Sequence, residues 1–267
     1  MRLVSYDAGD GVRAGILDDD GIRDAGRGGL GALLRSGETP SAGGPVVENA
    51  RLLPPVPDPQ KVLLLGLNYR SHAEEAGLEP PETPTFFAKF RNALVPHGAE
   101  VPLPGYSQKV DYEAEVAFVI GRRAKDVAEA DALDHIAGYT LLNDLSARDL
   151  QFSTPQWMSG KVFDGSAPCG PALVTPEEAG RHDGIEIRLT LNGEQMQSDS
   201  TASLIFSVPA LLSHLSQLMT LEPGDIVSTG TPDGVGSVRE PRVWLADGDE
   251  LIIESPTLGR LETRIAG

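Results

Sequence analysis

Two glutamates stand two residues apart at the head of an apolar segment, VDYEAEVAFVI, which occupies residues 110–120. The second half of this segment has the composition of a buried strand. Side chains at positions i and i+2 of a strand share a face, so Glu113 and Glu115 point the same way, and Asp111 is a candidate for that face. Like charges this close repel, and burial strengthens the repulsion. Water, basic side chains or a cation must therefore compensate them.

A third carboxylate, Asp144, ends the apolar segment GYTLLND. The sequence has no Cys or His at ligand spacing nearby, so three carboxylates with open positions suit Mg²⁺ or Mn²⁺ better than zinc. The residues alone leave a second interpretation open. Glu113 and Glu115 would then face solvent, and Asp144 would cap a helix over residues 145–150.

Two further segments carry side chains suited to proton transfer and anion binding. His72 and Glu75 are three residues apart, so on a helical turn they share one face. The alternative is an exposed helical turn on a mobile loop. Thr231 lies in TGTPDGVG, whose backbone amides and hydroxyl could hold a carboxylate, although Thr-Pro and Asp-Gly are also common turn pairs.

Composition limits the classes of function. The 267 residues carry a net charge of −17, which argues against nucleic acid as a partner. The single cysteine, Cys169, excludes an internal disulfide framework and fits a reducing compartment. The N-terminal residues show no secretory signal, and the apolar runs are too short to span a bilayer, so we expect a soluble cytoplasmic protein without membrane contact.

The elements that must position these residues are mostly strands. The 30 glycines and 21 prolines indicate many turns, and alternating apolar residues predict strands bounded by them. Strands are predicted over residues 136–143 and 243–245, a hairpin turn at Asn192-Gly193, and a helix within residues 203–218. Four prolines within residues 53–59 predict an extended connector. We therefore expect a small N-terminal β-rich domain over residues 1–57 and a main domain over residues 58–267.

Read together and in order, five motifs resemble those of the fumarylacetoacetate hydrolase family. They are NYxxHxxE from Asn68, DYExE from Asp111, NDxSARD from Asn143, GKxFD from Gly160 and TGTPDGVG from Thr229. The resemblance implies an α+β, mostly β fold. It implies a catalytic domain that is a mixed β-sandwich or β-roll, a small N-terminal domain, and usually a homodimer.

The resemblance also assigns roles to residues of this chain. The metal ligands fall on Glu113, Glu115 and Asp144, which favours Mg²⁺ or Mn²⁺, with Ca²⁺ as an alternative. His72, Glu75 and Lys161 fall on catalytic positions, and Gln151 and Thr231 on substrate-binding positions. Lys89 resembles a family lysine whose role we leave open, and Arg148 pairs structurally with Asp144 or Asp149 as one alternative. Asp233 stands where a small residue is usual, which puts the detail of anion binding there in doubt.

The reaction that the resemblance implies is metal-dependent hydrolysis of a C–C bond in an acylpyruvate-like 2-oxo acid. Glu75 would orient His72, which would take a proton from the attacking water, and Lys161 would stabilise the developing enolate. Two rivals use the same enolate: decarboxylation of oxaloacetate, and tautomerisation or isomerisation of an unsaturated 2-oxo or 2-hydroxy dioate. Outside catalysis, the acidic trio could hold a structural Ca²⁺ in a binding protein. We expect residues 76–83 and 152–158 to shape the substrate pocket.

Overall fold

The computed structural model describes residues 1–38, 40–41, 44–48 and 50–267. Strands make up 38% of the chain and helices 20%, and the sheets are mixed. The expected α+β, mostly β fold is therefore confirmed. No helix in the described ranges is both long enough and apolar enough to cross a membrane.

Nineteen strands and five α-helices follow one another along the described residues. The strands are β1 (Arg2–Asp7), β2 (Val12–Asp18), β3 (Gly21–Arg27), β4 (Val46–Val47), β5 (Arg51–Leu52), β6 (Val62–Gly66), β7 (Thr85–Lys89), β8 (Leu94–Val95), β9 (Ala99–Pro102), β10 (Val110–Asp111), β11 (Ala114–Ile120), β12 (Ile136–Asn143), β13 (Ser146–Ala147), β14 (Ala167–Val174), β15 (Glu186–Leu191), β16 (Glu194–Ser200), β17 (Ile226–Ser228), β18 (Glu250–Ser255) and β19 (Gly259–Ala266). The helices are α1 (Gly29–Ser36), α2 (Arg70–Glu75), α3 (Arg148–Gln151), α4 (Pro176–Ala179) and α5 (Val208–Leu218). Five short 3₁₀ turns complete the described elements, among them one over Trp157–Gly160.

A large mixed sheet runs through the molecule in the order β4-β3-β2-β1-β14-β12-β11-β17-β6-β7. Strand β5 pairs with β1 and β8 with β14, off this path. A second sheet has the order β16-β15-β18-β19-β9, and β10 and β13 form a separate two-stranded pair. Most neighbours are antiparallel, but β17 lies parallel to β6 and β19 parallel to β9.

Strand β11 is buried along its whole length because both of its faces are covered. Val116 and Phe118 point into the larger core cluster, which also holds residues of β15, β18 and α5. Ala117 and Val119 point the other way, into a second cluster with residues of β1 and α1. Side chains alternate along a strand, so Glu113 and Glu115 belong to the same face as Ala117 and Val119. The glutamates are therefore fixed by the most buried strand of the sheet.

The strands of the N-terminal region join the main sheet directly. Strand β1 pairs with β14 at Arg2↔Val174 and Leu3↔Leu173, although about 170 residues separate the partners. The division at residues 57 and 58 into two domains stays a prediction. In structural terms, the N-terminal strands extend the same sheet that carries β11 and β12.

Several predicted elements can be compared with the structure. The strand over residues 136–143 is confirmed as β12, and the helix within residues 203–218 as α5. Asn192 and Gly193 both have positive φ, at 52° and 84°, and join β15 to β16 as the predicted hairpin. The strand predicted at residues 243–245 is wrong, because this segment is loop. Its amides bond elsewhere: Val243 N to the Gly236 carbonyl and Leu245 N to the Val110 carbonyl.

Candidate metal centre and active site

Three carboxylates meet where β11 begins and β12 ends. The antiparallel register pairs Ala114 with Asn143, so the preceding Glu113 lies beside Asp144, whose amide donates to the Glu113 carbonyl at 2.9 Å. One oxygen from each of Glu113, Glu115 and Asp144 lies within 4.8 Å of the other two. The solvent-facing interpretation of the glutamates is wrong, because Glu113 is 5% and Glu115 1% exposed. Asp144 does not cap a helix either, since α3 begins after Ala147.

Two lysines supply most of the charge compensation that the sequence requires. Lys161 Nζ lies 2.7 Å from Glu113 Oε2 and 2.6 Å from Asp144 Oδ2. Lys89 Nζ is fully buried, donates to the carbonyls of Leu145 and Ser166, and lies 2.9 Å from Asp144 Oδ1. This last contact lacks hydrogen-bond geometry, so Asp144 Oδ1 has no donor among the described groups. Lys89, whose role the sequence left open, is thus a buried counter-charge of Asp144.

Arg148 links Glu113 of the carboxylate cluster to Asp111 and Gln151. Its Nη2 lies 2.7 Å from Glu113 Oε1, its Nε donates to Asp111 Oδ2 at 2.9 Å, and its Nη1 donates to Gln151 Oε1 at 2.9 Å. The alternative pairing with Asp144 or Asp149 is wrong. Asp111 does not join the three clustered carboxylates, because its oxygens accept from Arg148 and from the amides of Gly236 and Ser237.

The cluster shifts the ionisation of its members in opposite directions. Burial raises the pKa of Glu115 well above its ordinary value, and the nearby Asp144 and Glu113 raise it further. Burial also opposes ionisation of Glu113, but Arg148 and Lys161 outweigh it and lower the pKa of that carboxyl. Burial lowers the pKa of Lys89 to about 8 despite the neighbouring Asp144. The anionic cluster is thus not fully compensated by the protein.

A divalent cation fits this donor set. Three buried carboxylates supply hard oxygen ligands, the type that Mg²⁺, Mn²⁺ and Ca²⁺ prefer. No basic side chain in the described ranges forms an ion pair with Glu115, and its raised pKa indicates room for further positive charge. Glu113, Glu115 and Asp144 can therefore hold a metal ion.

His72 and Glu75 face each other on α2. His72 Nδ1 lies 3.6 Å from Glu75 Oε2, beyond hydrogen-bond distance, and has no hydrogen-bond partner in the described ranges. The Glu75 carboxylate accepts from the Gly234 amide at 3.0 and 3.1 Å. The TGTPDGVG segment therefore fixes Glu75, and Glu75 in turn stands beside the imidazole. A small shift would turn this contact into the hydrogen bond that orients a histidine base.

The two predicted substrate-binding residues also reach the site. Thr231 and Gln151 are both buried and both line the same cavity. The Thr231 hydroxyl donates to the Ala114 carbonyl at 2.9 Å and accepts from Gln197 Nε2 at 2.9 Å, so its proton is already engaged. Gln151 uses its oxygen on Arg148, and no described group accepts from its amide nitrogen. Gln151 is thus the freer donor of the two. Asp233 adds only backbone contacts here, its amide donating to Ser71 Oγ.

A cavity of about 550 Å³ is lined by most of the candidate residues, with Glu75 and Asp144 outside its lining. His72, Glu113, Glu115 and Lys161 form part of its wall, and Phe87 and Trp157 cover another part. Lys161 Nζ also lies 4.9 Å from the centre of the Phe87 ring. Both segments expected to shape the pocket contribute to it, through Ala76, Leu78 and Pro81 and through Phe152 and Trp157.

The cavity also contains residues that sequence reasoning missed. Lys109, Arg242 and Trp244 line it as well, and the exposure of the two cations places them at its mouth. Lys109 stands two residues before the DYExE motif, and the other two follow TGTPDGVG by several residues. No spacing rule singles them out, because long-range contacts of irregular backbone bring them to the site. The hydrogen bond from Leu245 N to the Val110 carbonyl, at 2.9 Å, joins the two segments.

Comparison with known proteins gives a consistent family assignment. The chain belongs to the fumarylacetoacetate hydrolase family, because the family model described as fumarylacetoacetate (FAA) hydrolase C-terminal matches residues 61–266. A mitochondrial oxaloacetate tautomerase from Bos taurus is 43% identical over 215 residues, covering 80% of this chain and 68% of the relative.

Solved structures agree over the whole chain. A fumarylacetoacetate hydrolase from Exiguobacterium antarcticum is 31% identical with a TM-score of 0.91, covering 100% of this chain and 99% of that one. A 5-carboxymethyl-2-hydroxymuconate delta-isomerase from Mycobacterium smegmatis is 33% identical with a TM-score of 0.85, at the same coverage. The protein is therefore an enzyme of this family, which includes hydrolases, tautomerases and isomerases among its relatives.

Proposed function

We propose that this enzyme catalyses keto–enol tautomerisation of a small 2-oxo acid of the oxaloacetate type, with Mg²⁺ or Mn²⁺ as its cofactor. One observation carries the proposal: a candidate proton carrier, His72, and a cation-rich carboxylate cluster line the same cavity. Moving a proton between carbon and oxygen next to a 2-oxo group needs those two features and no further reactant. The similarity to oxaloacetate tautomerases supports the same reaction.

The roles of the side chains follow from their positions. His72 would deliver a proton to, or remove it from, the carbon next to the 2-oxo group, with Glu75 stabilising the charged imidazole. Lys161 would stabilise negative charge on the 2-oxygen, because its ammonium is already held in the cavity wall. Gln151 would donate its free amide hydrogens to the substrate carboxylate, and Thr231 would shape the same wall.

Glu113, Glu115 and Asp144 would hold the divalent cation. When bound there, it would supply a Lewis acid and an anchor for the carboxylate and 2-oxygen of the substrate. Hard oxygen ligands favour Mg²⁺ or Mn²⁺ over zinc, and Ca²⁺ is the alternative ion. The side chains of the protein would carry out the other steps: they would exclude water and move the proton.

The direct test follows the disappearance of enol-oxaloacetate by its ultraviolet absorbance. We expect the purified enzyme to accelerate this loss with Mg²⁺ or Mn²⁺, and excess EDTA to abolish the acceleration. His72→Gln should lower kcat by about 10²-fold or more, the usual contribution of a general acid–base. Pyruvate must be assayed in parallel, because pyruvate release without tautomerisation would replace this proposal by oxaloacetate decarboxylation.

Hydrolysis of an acylpyruvate is the second candidate, and the His72–Glu75 pair favours it. A histidine beside a carboxylate can take a proton from an attacking water as well as from carbon. Release of pyruvate from acetylpyruvate, dependent on Mg²⁺, would support hydrolysis. His72→Ala should then abolish hydrolysis while sparing much of any decarboxylation, and equal loss of both would contradict the role of His72 as water base.

The family resemblance also supports a homodimer, which we propose as the assembly in solution. Light scattering of the purified protein tests it directly. The calculated mass of one chain is 28.3 kDa, so a dimer and a monomer differ by a factor that the method resolves easily.

A further inference from the structure

Two cationic side chains at the mouth of the cavity have no role in the chemistry described so far. Lys109 and Arg242 both line the cavity and are both exposed. The sequence has only 22 lysines and arginines against 39 acidic residues, and most of these cations form ion pairs. In the described ranges neither Lys109 nor Arg242 lies within 4 Å of a carboxylate. In so acidic a chain, two free cations at one opening indicate a site for an anion.

Backbone hydrogen bonds fix both positions relative to the site. The carbonyl of Lys109 accepts from the amide of Arg148 at 2.9 Å. The backbone of Lys109 is therefore hydrogen-bonded to the residue whose side chain pairs with Glu113. On the other segment, Val243 N donates to the Gly236 carbonyl at 3.0 Å, directly after Arg242. These contacts fix the backbone of both segments that carry the two cations. Their charges are available to a ligand.

One acidic residue, Asp149, also lines the cavity and would oppose an anion there. Its carboxylate is already occupied by local donors: Ser107 Oγ at 2.6 Å, the Leu150 amide at 3.1 Å and the Gln108 amide at 3.4 Å. These hydrogen bonds spread its charge over neighbouring dipoles. The two cations therefore outnumber it at the mouth.

Apolar side chains line the same cavity as the two cations and the carboxylate cluster. They are Trp244, Phe152 and Val238. A cavity of about 550 Å³ accommodates ligands larger than a four-carbon acid. Buried carboxylates and exposed cations thus line one cavity together with apolar side chains, which matches a ligand with an acid group at each end.

We propose that Lys109 and Arg242 bind the distal carboxylate of a dicarboxylic 2-oxo acid and so select dicarboxylic over monocarboxylic substrates. This inference rests on the proposed function, because it assumes that the 2-oxo acid end binds at the carboxylate cluster. It goes further by naming the residues that determine which 2-oxo acids the enzyme prefers.

The test compares two six-carbon acids that differ only in the distal group, 2-oxoadipate and 2-oxohexanoate. Their dissociation constants are measured by calorimetry on the full chain with saturating Mg²⁺. We expect wild-type protein to bind 2-oxoadipate at least tenfold more tightly. Lys109→Met and Arg242→Met should each weaken 2-oxoadipate about fivefold, as expected for a partly exposed charge pair, and leave 2-oxohexanoate unchanged. Raising the salt concentration should shrink the preference of the wild type.

Arg122→Met is the matched control, because Arg122 is exposed, lies outside the cavity and has no acidic partner in the part of the chain described. It removes the same charge and should change neither constant. Equal binding of both acids by the wild type, or equal weakening of both by the variants, would overturn the inference and leave the proposed function intact. Failure of the wild type to bind either acid would also overturn the inference, whereas only failure to accelerate the loss of enol-oxaloacetate would contradict the proposed function.

Discussion

At the scale of single residues, the site concentrates buried charge that would be costly alone. A buried ion destabilises a protein unless partners satisfy it. Here the buried acidic and basic side chains neutralise one another, since every carboxylate of the group except Glu115 lies against a basic side chain. The group consists of Asp111, Glu113, Glu115 and Asp144 with Lys89, Arg148 and Lys161. Glu115 is left to the Gly230 amide, at 3.2 Å. Because Glu115 lacks a basic partner, a cation would be most stabilising beside it, at the cavity wall.

Glu75 is a positioning residue whose effect runs through His72. Glu75→Gln keeps an oxygen for the Gly234 amide but removes the negative charge beside the imidazole. We expect kcat for enol-oxaloacetate to fall about tenfold or more, as for other groups that orient a functional histidine, while KM stays within about twofold. Steady-state kinetics measure the split between the two constants.

Glu74→Gln is the control, because it makes the same charge change one residue away and has no hydrogen bond to His72 in the described ranges. Equal loss of kcat in both variants would show that Glu75 acts only through the net charge of α2. A rise in KM with unchanged kcat would assign Glu75 to substrate binding instead.

The residue scale also separates what the sequence could predict from what it could not. Glu113 and Glu115 were candidates from their strand spacing, and Asp144 from its place at a strand end. Their neighbourhood depends on the pairing of β11 with β12, which residues 121–135 connect. The alternative that paired Arg148 with Asp144 or Asp149 is wrong, because its carboxylate partners Asp111 and Glu113 lie 37 and 35 residues away in sequence. The local sequence does not indicate which distant side chain a residue will contact.

At the scale of elements, the end of β6 lines the cavity and leaves space there for a neighbouring aromatic ring. Gly66 is the last residue of β6, and a Cβ added there would overlap the ring of Trp157. Trp157 in turn stands edge-on to Phe87, with ring centres 5.8 Å apart. We expect Gly66→Ala to push Trp157 toward the cavity, to raise KM about fivefold and to destabilise the fold by about 1–3 kcal/mol, as overpacking usually does.

Kinetics with thermal unfolding test this prediction together. Gly105→Ala is the matched control, because a Cβ at Gly105 would meet no heavy atom within 4 Å. Its KM and melting temperature should equal those of the wild type. If Gly66→Ala leaves KM unchanged while lowering stability, Trp157 supports the fold and does not shape the substrate site.

The first three strands carry a separate electrostatic contact that predicts a pH dependence of stability. Asp24 of β3 accepts from Tyr6 of β1 at 2.7 Å and from Arg13 of β2 at 2.8 and 2.6 Å. Arg13 lowers the pKa of Asp24 against the opposing effect of burial. A lowered pKa stabilises the fold above the unfolded value of about 3.9, and this contribution disappears as pH falls further.

Asp24→Asn should therefore lower the free energy of unfolding by about 1 kcal/mol at pH 7. The difference from the wild type should shrink as pH falls below about 4, because the Asp24 carboxyl of the unfolded chain then gains a proton while the native one still resists it. Urea unfolding at pH 7 and at pH 3 measures both values. Asp19→Asn, in the exposed hairpin turn, is the control and should change neither. A difference that stays constant with pH would mean that the contact is not ionic.

The elements themselves were predictable where local pattern decides them. The bounds of β12 follow from one apolar run, and the hairpin at Asn192-Gly193 follows from turn chemistry. The segment at residues 243–245 has strand-like composition but bonds to two different loops, so it extends no sheet. The pairing of β1 with β14 joins segments about 170 residues apart, which no local window of sequence compares. Long-range pairing, not local propensity, decided both cases.

At the scale of the whole molecule, the charge of the protein and the charge of its site have opposite signs. The net charge of −17 repels an anionic acid at long range. Screening limits that repulsion to about 8 Å at physiological salt, so the local cations of the cavity dominate once the acid arrives. Lys161 deep in the cavity and Lys109 and Arg242 at its mouth supply this local field. A cation bound at the carboxylates would strengthen it.

Binding of that cation should stabilise the whole fold, because the three carboxylates are gathered only in the native state. At a Mg²⁺ concentration 100 times its dissociation constant, the linkage is worth about 2.7 kcal/mol. For a chain of this size, each kcal/mol shifts the melting temperature by about 2–4 °C. We therefore expect Mg²⁺ to raise the melting temperature by about 5–10 °C in calorimetry, relative to protein in EDTA at equal ionic strength.

Glu115→Gln separates a specific site from general screening of an acidic protein. The substitution removes the carboxylate whose ionisation burial, Asp144 and Glu113 oppose. In EDTA the variant should melt at or above the wild-type temperature, because one source of buried repulsion is gone. With Mg²⁺ its shift should fall to a small fraction of the wild-type shift, because a ligand is lost. An undiminished shift in the variant would place the stabilising ion elsewhere on the acidic surface and remove the basis for a metal centre at the junction of β11 and β12.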